Sequence, residues 1–126
     1  MPIVDVELVA GSTDLPIAGL AQSLADAIGR ALETPPGRTW VRLRVLARAH
    51  YAENEASIEP DALPVFVTVL ERAFPEGAAL AVANAALTAS IAKVTGRNPA
   101  SVHIEYAPAA AGRVSFGGTI VGMSTT

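Results

Sequence analysis

The stretch PIVDVELV, residues 2–9, has a counterpart in PVFVTVLE, residues 64–71, which begins 64 − 2 = 62 positions later. Each begins with proline and continues as a short run rich in β-branched residues, which is typical of a strand. A turn, an alanine-rich stretch, a proline and a second strand-like run follow each of them in the same order. We therefore expect residues 1–126 to form a single domain of two pseudo-repeats, 1–62 and 63–126.

Apolar residues recur at helical spacing in the middle of each repeat. The first predicted helix covers about residues 14–32 and is stopped by Pro35 and Pro36, and the second covers about residues 76–95 with Gly96 as its carboxyl-terminal cap. The candidate amino-terminal caps of the first helix are Ser12, Thr13 and Asp14. The predicted apolar stripe of the first helix contains Ile17, Leu20, Leu24, Ile28 and Leu32. That of the second helix contains Leu80, Leu87, Ile91 and Val94.

A second strand follows the helix of each repeat. In TWVRLRVL, residues 39–46, Arg42 and Arg44 alternate with apolar residues, and in SVHIEYA, residues 101–107, His103 and Glu105 do the same. A strand, a helix and a strand in succession make a parallel pair through a right-handed crossover. We therefore predict an α/β (α+β) fold, in which two β-α-β repeats form a four-stranded sheet with both helices on one face. Residues 114–121 predict a short extra strand or a hairpin, with Gly117 and Gly118 as the bend.

The composition is unusually apolar for a chain of 126 residues, with 51% hydrophobic and 17% charged residues. The charge-free run Gly77 to Ala92 is shorter than the span of about 20 residues that a membrane needs. No basic and apolar leader begins the sequence, so we expect a cytoplasmic protein that does not enter a membrane. A net charge of −3 argues against nucleic-acid binding. An interface between copies of the chain, on the sheet face without helices, accounts best for the apolar excess.

Several familiar active-site motifs are missing from the sequence. It contains no G-x-G-x-x-G, no G-K-[ST], no H-E-x-x-H, no G-x-S-x-G and no cysteine. Only two histidines are present, His50 and His103, so a zinc site is not expected. We predict a protein that needs neither cofactor nor metal.

The remaining candidate for chemistry is the nitrogen of Pro2. If Met1 is removed, which a small second residue such as proline permits, this nitrogen becomes a secondary amine. An ordinary α-amino group has a pKa of about 7.7–8.0, and apolar surroundings or nearby guanidinium groups lower it. Such an amine can act as a general base near neutral pH. The structural alternative is that Pro2 only begins an edge strand, where proline is tolerated.

The Met-Pro start, the two repeats, the PP helix stop and the SFGG tail at residues 115–118 together resemble the tautomerase superfamily. That superfamily includes 4-oxalocrotonate tautomerase, malonate semialdehyde decarboxylase and the macrophage migration inhibitory factor (MIF) group. The resemblance implies a tautomerase or MIF-like fold, a homotrimer for a chain of two fused units, and active sites between subunits. It also implies that Pro2, as an amino-terminal proline, moves a proton in a small α-keto or 2-hydroxy-enoic acid.

The resemblance also suggests residues that bind the substrate. Arg42 in WVRL, and Arg72 after the counterpart segment PVFVTVLE, would bind the substrate carboxylate. Tyr51 in AHYAEN would form a wall of the pocket. The segment SVHIEYAPAAAGRVSF, residues 101–116, resembles a pocket segment of the MIF group and implies that His103, Glu105, Val114 and Phe116 line the site. Ser12 and Thr34 stand where relatives carry basic residues.

Other interpretations remain open at this point. A hydratase, dehalogenase or decarboxylase of the same superfamily would use the proline as a cation, and a trimeric binding protein would not use it chemically. The polar residues also have structural alternatives. Arg42 and Arg44 could pair with Asp5, Glu7 or Glu105 between subunits, His103 could be a polar residue inside a trimer channel, and Tyr51 and Phe116 could be interface packing.

Overall fold

The computed structural model describes residues 2–11 and 16–122, and the candidate caps Ser12, Thr13 and Asp14 lie outside these ranges. Two short strands follow four longer strands and two helices. In chain order the elements are β1 (Ile3–Val9), α1 (Leu20–Ala31), β2 (Trp40–Leu46), β3 (Val65–Leu70), α2 (Gly77–Thr95), β4 (Val102–Tyr106), β5 (Ser115–Phe116) and β6 (Thr119–Ile120).

The four longer strands form one sheet in the order β2-β1-β3-β4. Within each repeat the two strands are parallel, and the two repeats meet where β1 pairs with β3 in antiparallel orientation. This confirms the predicted four-stranded sheet of two β-α-β units. The sequence repeat did not indicate which strands would join the repeats.

Alternation along the strands decides which face of the sheet is covered. Val4, Val6 and Leu8 of β1 are buried, as are Val65, Val67 and Val69 of β3. These residues share one core with Leu24 and Ile28 of α1 and with Leu87 and Ile91 of α2. Both helices therefore pack on this face, which we call the helix face. The opposite face, which we call the open face, carries the alternate residues of every strand.

Helix α1 is shorter than the sequence predicts. It begins at Leu20, because Gly19 adopts a left-handed conformation with φ of 81° in front of it. Ile17, which the sequence pattern predicts to lie in the apolar stripe, lies before the helix and is 47% exposed. Residues 16–19, which were predicted to be helical, form a turn instead, and the predicted start at residue 14 lies outside the described residues.

Helix α2 agrees closely with its prediction and ends at Gly96, which has φ of 68° and donates its N–H to the carbonyl of Ala92. The helix is 19 residues long and is apolar enough, by length and composition alone, to cross a membrane. The shorter charge-free run in the sequence had argued against this. Leu87 and Ile91 on one side of α2 are fully buried in the core, whereas Val82 is 71% exposed.

The predicted hairpin is also present. Strands β5 and β6 pair in antiparallel orientation, with Ser115 opposite Ile120. Gly117 and Gly118 connect them with φ of 56° and 94°. Two consecutive positive φ values are typical of a type I′ hairpin turn, which explains two glycines at the bend.

Candidate active site

Pro2 is fully buried immediately before β1. The backbone N–H of Trp40 donates to the Pro2 carbonyl at 3.0 Å, which extends the pairing of β1 with β2 by one residue. Because side chains alternate along a strand, the Pro2 ring lies on the helix face with Val4. The candidate base is therefore held in a buried position at the end of the sheet.

Glu71 lies across from Pro2 on the neighbouring strand. Ile3 pairs with Leu70 in the antiparallel register, and the next step of that register places Pro2 opposite Glu71 on the helix face. Burial raises the pKa of the Glu71 carboxyl above its ordinary value, while the positive charge of the amino terminus acts in the opposite direction. Sequence reasoning missed Glu71, although it is the last residue of the counterpart segment PVFVTVLE.

Glu71 lines a cavity of about 580 Å³ that lies between the end of α1 and the first half of α2. Phe74 and Tyr106 meet edge to face in its wall, with ring centroids 5.1 Å apart. The Tyr106 hydroxyl donates to Oδ1 of Asn84 at 2.7 Å. Burial, and then the negative charge of Glu71, raise the pKa of Tyr106. The cavity therefore combines apolar walls with an acid and a phenol.

The carboxyl-terminal hairpin brings Phe116 to the start of β2. The rings of Phe116 and Trp40 are stacked, with centroids 5.1 Å apart and planes 24° from parallel. The carbonyl of Val114 accepts the N–H of Val121 at 2.8 Å, which anchors the hairpin base. The structure thus places Val114 and Phe116 at the end of the sheet that contains Pro2.

Arg42 lies on the open face, where its partner is Asp5 of the same chain. These residues are paired in the register of β1 and β2, and the guanidinium contacts the carboxylate with Nε–Oδ1 of 2.7 Å and Nη2–Oδ2 of 2.9 Å. The hydrogen bond to Asp5 raises the pKa of Arg42. Thr68 and Glu105 continue this row of the sheet, with the Thr68 hydroxyl donating to Oε1 of Glu105 at 3.5 Å.

Tyr51 and His103 gather around Phe66 in the next row of the open face. The Phe66 ring lies 5.9 Å from that of Tyr51 and 5.5 Å from that of His103, measured between centroids. The Tyr51 hydroxyl donates to Oε2 of Glu53 at 2.6 Å, and this bond raises the pKa of Tyr51 to about 12. Phe66 is opposite Glu7, four residues along β1 from Ile3, so this cluster begins about 13 Å from the Pro2 end.

Within one chain, the predicted site residues therefore form two groups. Pro2, Val114 and Phe116 gather at one end of the sheet, and Arg72 follows Glu71 there with its carbonyl accepting the N–H of Ala111 at 3.3 Å. The open-face group contains Arg42, Tyr51, His103 and Glu105. Across residues 2–11 and 16–122, no group of three or more His, Cys, Asp or Glu side chains could hold a metal ion.

No family model and no curated protein matches the sequence. Solved structures match it over nearly its whole length. A fused 4-OT solved as a symmetric trimer is 17% identical, with a TM-score of 0.74 and 96% of each chain covered. FG41 malonate semialdehyde decarboxylase inhibited by 3-bromopropiolate is 20% identical, with a TM-score of 0.68 over 91% of this chain and 88% of that one. Macrophage migration inhibitory factor from Trichinella spiralis is 17% identical, with a TM-score of 0.66 over 94% and 98%. The chain therefore has the tautomerase superfamily fold, with two β-α-β units fused in one polypeptide.

Proposed function

We propose that this chain is a tautomerase that transfers a proton between the keto and enol forms of a small α-keto acid. The nitrogen of Pro2, freed by removal of Met1, is the reacting group. The observation that carries this proposal is the full burial of Pro2 at the end of the sheet. Burial disfavours the charged amine and makes a base available near neutral pH. A carbonyl next to the reacting carbon already acidifies the C–H bond, so the reaction needs no cofactor.

The active form in this proposal is a homotrimer. The open face carries Phe66, which is 39% exposed in the single chain, beside the polar row of Arg42 and Glu105. A neighbouring subunit on this face would bury the apolar surface. Active sites between subunits would join Tyr51, His103 and Glu105 of one chain to the Pro2 of the next. A fused 4-OT of the same fold forms a symmetric trimer, which supports this arrangement.

Arginine side chains hold the substrate carboxylate in this proposal, because their paired N–H groups match a carboxylate. We assign the main contact to Arg72, which directly follows Glu71 at the Pro2 end of the sheet. Arg42 already makes two contacts to Asp5, so its predicted role in substrate binding stays a prediction. The expectations of a cytoplasmic location and of no nucleic-acid or membrane partner also stay predictions.

The test compares the ketonisation of phenylenolpyruvate and of 2-hydroxymuconate by the wild type and by Pro2→Ala. Loss of a positioned acid–base group costs about 10²–10⁴ in rate, and we expect a fall of about 10² because an alanine amine would remain. Pro60→Ala is the matched control, since Pro60 is an exposed proline whose nitrogen is never free. Equal rates for the wild type and Pro2→Ala would overturn the proposal and favour a trimeric binding protein.

A hydratase, dehalogenase or decarboxylase is the second candidate, and the position of Glu71 favours it. A carboxylate opposite the amine would keep the proline cationic, and a cationic proline donates a proton instead of accepting one. A Pro2 pKa of about 6–7 supports the tautomerase, and one of about 9 supports the second candidate.

A further inference from the structure

We infer that Glu71 is the positioning partner of Pro2, and that its carboxylate, on the cavity side of the sheet, favours the protonated form of the freed amine against the effect of burial. The inference rests on the proposed function, because it requires a free Pro2 nitrogen. It deepens that function by naming the group that decides whether the proline donates or accepts a proton. It therefore bears on the choice between the two candidate reactions.

The backbone fixes both residues. The Pro2 carbonyl is bound by Trp40 on one side of β1, and the Glu71 carbonyl accepts the N–H of Ala110 at 2.8 Å on the far side of β3. Between them, continuing the antiparallel register one step beyond the Ile3–Leu70 pair places the two residues side by side. Opposed residues of an antiparallel pair have Cβ atoms about 4.5–5.5 Å apart. An amine and a carboxylate at this spacing interact strongly when they are partly removed from water.

Several titratable side chains lie around Glu71 besides the Pro2 amine. Arg30 near the end of α1 and Glu33 just after the helix line the same cavity, and Tyr106 faces Glu71 from β4. Arg72 is the next residue in the chain. Tyr106 is uncharged at neutral pH, since its pKa is raised above 10. Glu71 is the acidic side chain that the continued register of β1 and β3 places beside Pro2.

Two opposing effects then act on the Pro2 amine. Burial favours its neutral form, and the Glu71 carboxylate favours its charged form. Replacing the carboxylate by an amide of the same shape removes the second effect and leaves the first. The Pro2 pKa should therefore fall in Glu71→Gln. Glu71→Asp keeps the negative charge on a shorter side chain, and should retain part of the effect.

The experiment measures the Pro2 pKa by NMR in processed protein labelled with ¹⁵N-proline. An opposite charge within about 4–6 Å shifts a pKa by one to three units, so we expect Glu71→Gln to lower the Pro2 pKa by about one unit or more. The acidic limb of the pH–rate profile should move by the same amount. Glu76→Gln is the matched control, because Glu76 is an exposed acid on the same connection and should leave the Pro2 pKa unchanged.

The outcomes separate the two proposals. An unchanged Pro2 pKa in folded Glu71→Gln, on a chain that has lost Met1, overturns the role of Glu71 and leaves the proposed function standing. A fall in Glu71→Gln with a smaller fall in Glu71→Asp supports it, and Glu71→Asp alone carries the test if the amide variant does not fold. A retained Met1 in the native chain overturns the proposed function, and this inference with it.

Discussion

Arg42 and Asp5 lie directly opposite each other on two parallel strands, and their side chains are joined by two contacts of 2.7 and 2.9 Å. The pair is on the open face, and 66% of the Arg42 side chain is exposed in the single chain. An arginine engaged in this way has fewer donors left for a substrate carboxylate. Arg72, the other arginine that the sequence nominates, directly follows Glu71 at the Pro2 end of the sheet.

We expect Arg72→Ala to raise KM for an α-keto acid by about tenfold or more, and Arg42→Ala to raise it less than about threefold. A hydrogen bond to a charged group contributes about 1.5–3 kcal/mol, which is about a 10- to 150-fold change in binding. Steady-state kinetics on both variants measures the difference. A larger effect from Arg42→Ala would return the carboxylate-binding role to that residue. Asp5→Ala serves as the control for loss of the ion pair itself.

We expect Phe66→Glu to dissociate the proposed trimer. Phe66 lies among Tyr51 and His103 on the open face, and a charge there would have to be buried between subunits without a partner. Val82→Glu introduces the same charge on the outer side of α2, where the residue is 71% exposed, and should leave the assembly intact. Sedimentation equilibrium measures both variants. A Phe66→Glu protein that stays trimeric would show that the open face is not the interface.

The two sides of α2 should differ in their contribution to stability. Ile91 is fully buried, so Ile91→Ala should lower the free energy of unfolding by about 2–5 kcal/mol. Val82→Ala on the same helix should change it by no more than about 0.5 kcal/mol. Urea unfolding at a single protein concentration checks both, because assembly makes stability depend on concentration. Similar losses from the two variants would place a partner on the outer side of α2.

Glu71 should make stability depend on pH. Its pKa in the folded protein is raised above the ordinary 4.5, so the fold favours the protonated carboxyl. The resulting stabilisation is present below the ordinary pKa and is lost as the pH rises through the folded pKa. The unfolding midpoint of Glu71→Gln, relative to wild type, should therefore be higher at pH 7 than at pH 4. A difference that does not change between these pH values would contradict the raised pKa.

The repeat predicts most of the fold, because its patterns are local. Alternation in β1 and β3 and helical spacing in α2 follow directly from which residues are apolar, and Gly96 and the Gly117–Gly118 pair mark turns that need positive φ. The start of α1 could not be read in this way, since the apolar spacing runs on past the left-handed Gly19.

The candidate site was harder to predict, because it depends on how the repeats meet. Glu71 comes beside Pro2 only because β1 and β3 are antiparallel neighbours. The similarity between the two repeats does not specify which of their strands pair with each other. The same long-range register places Arg42 on Asp5. Whether His103 and Tyr51 reach a Pro2 depends on a second subunit, which the spacing of residues within one chain does not encode.

The most direct test of the account is the intact mass of the native purified chain. The proposed chemistry needs the Pro2 nitrogen as a free secondary amine, so the account predicts a mass lower than that of the full sequence by one methionine residue. A chain that retains Met1 would have an amide at that nitrogen, with no basic lone pair to move a proton. That result would contradict the central claim.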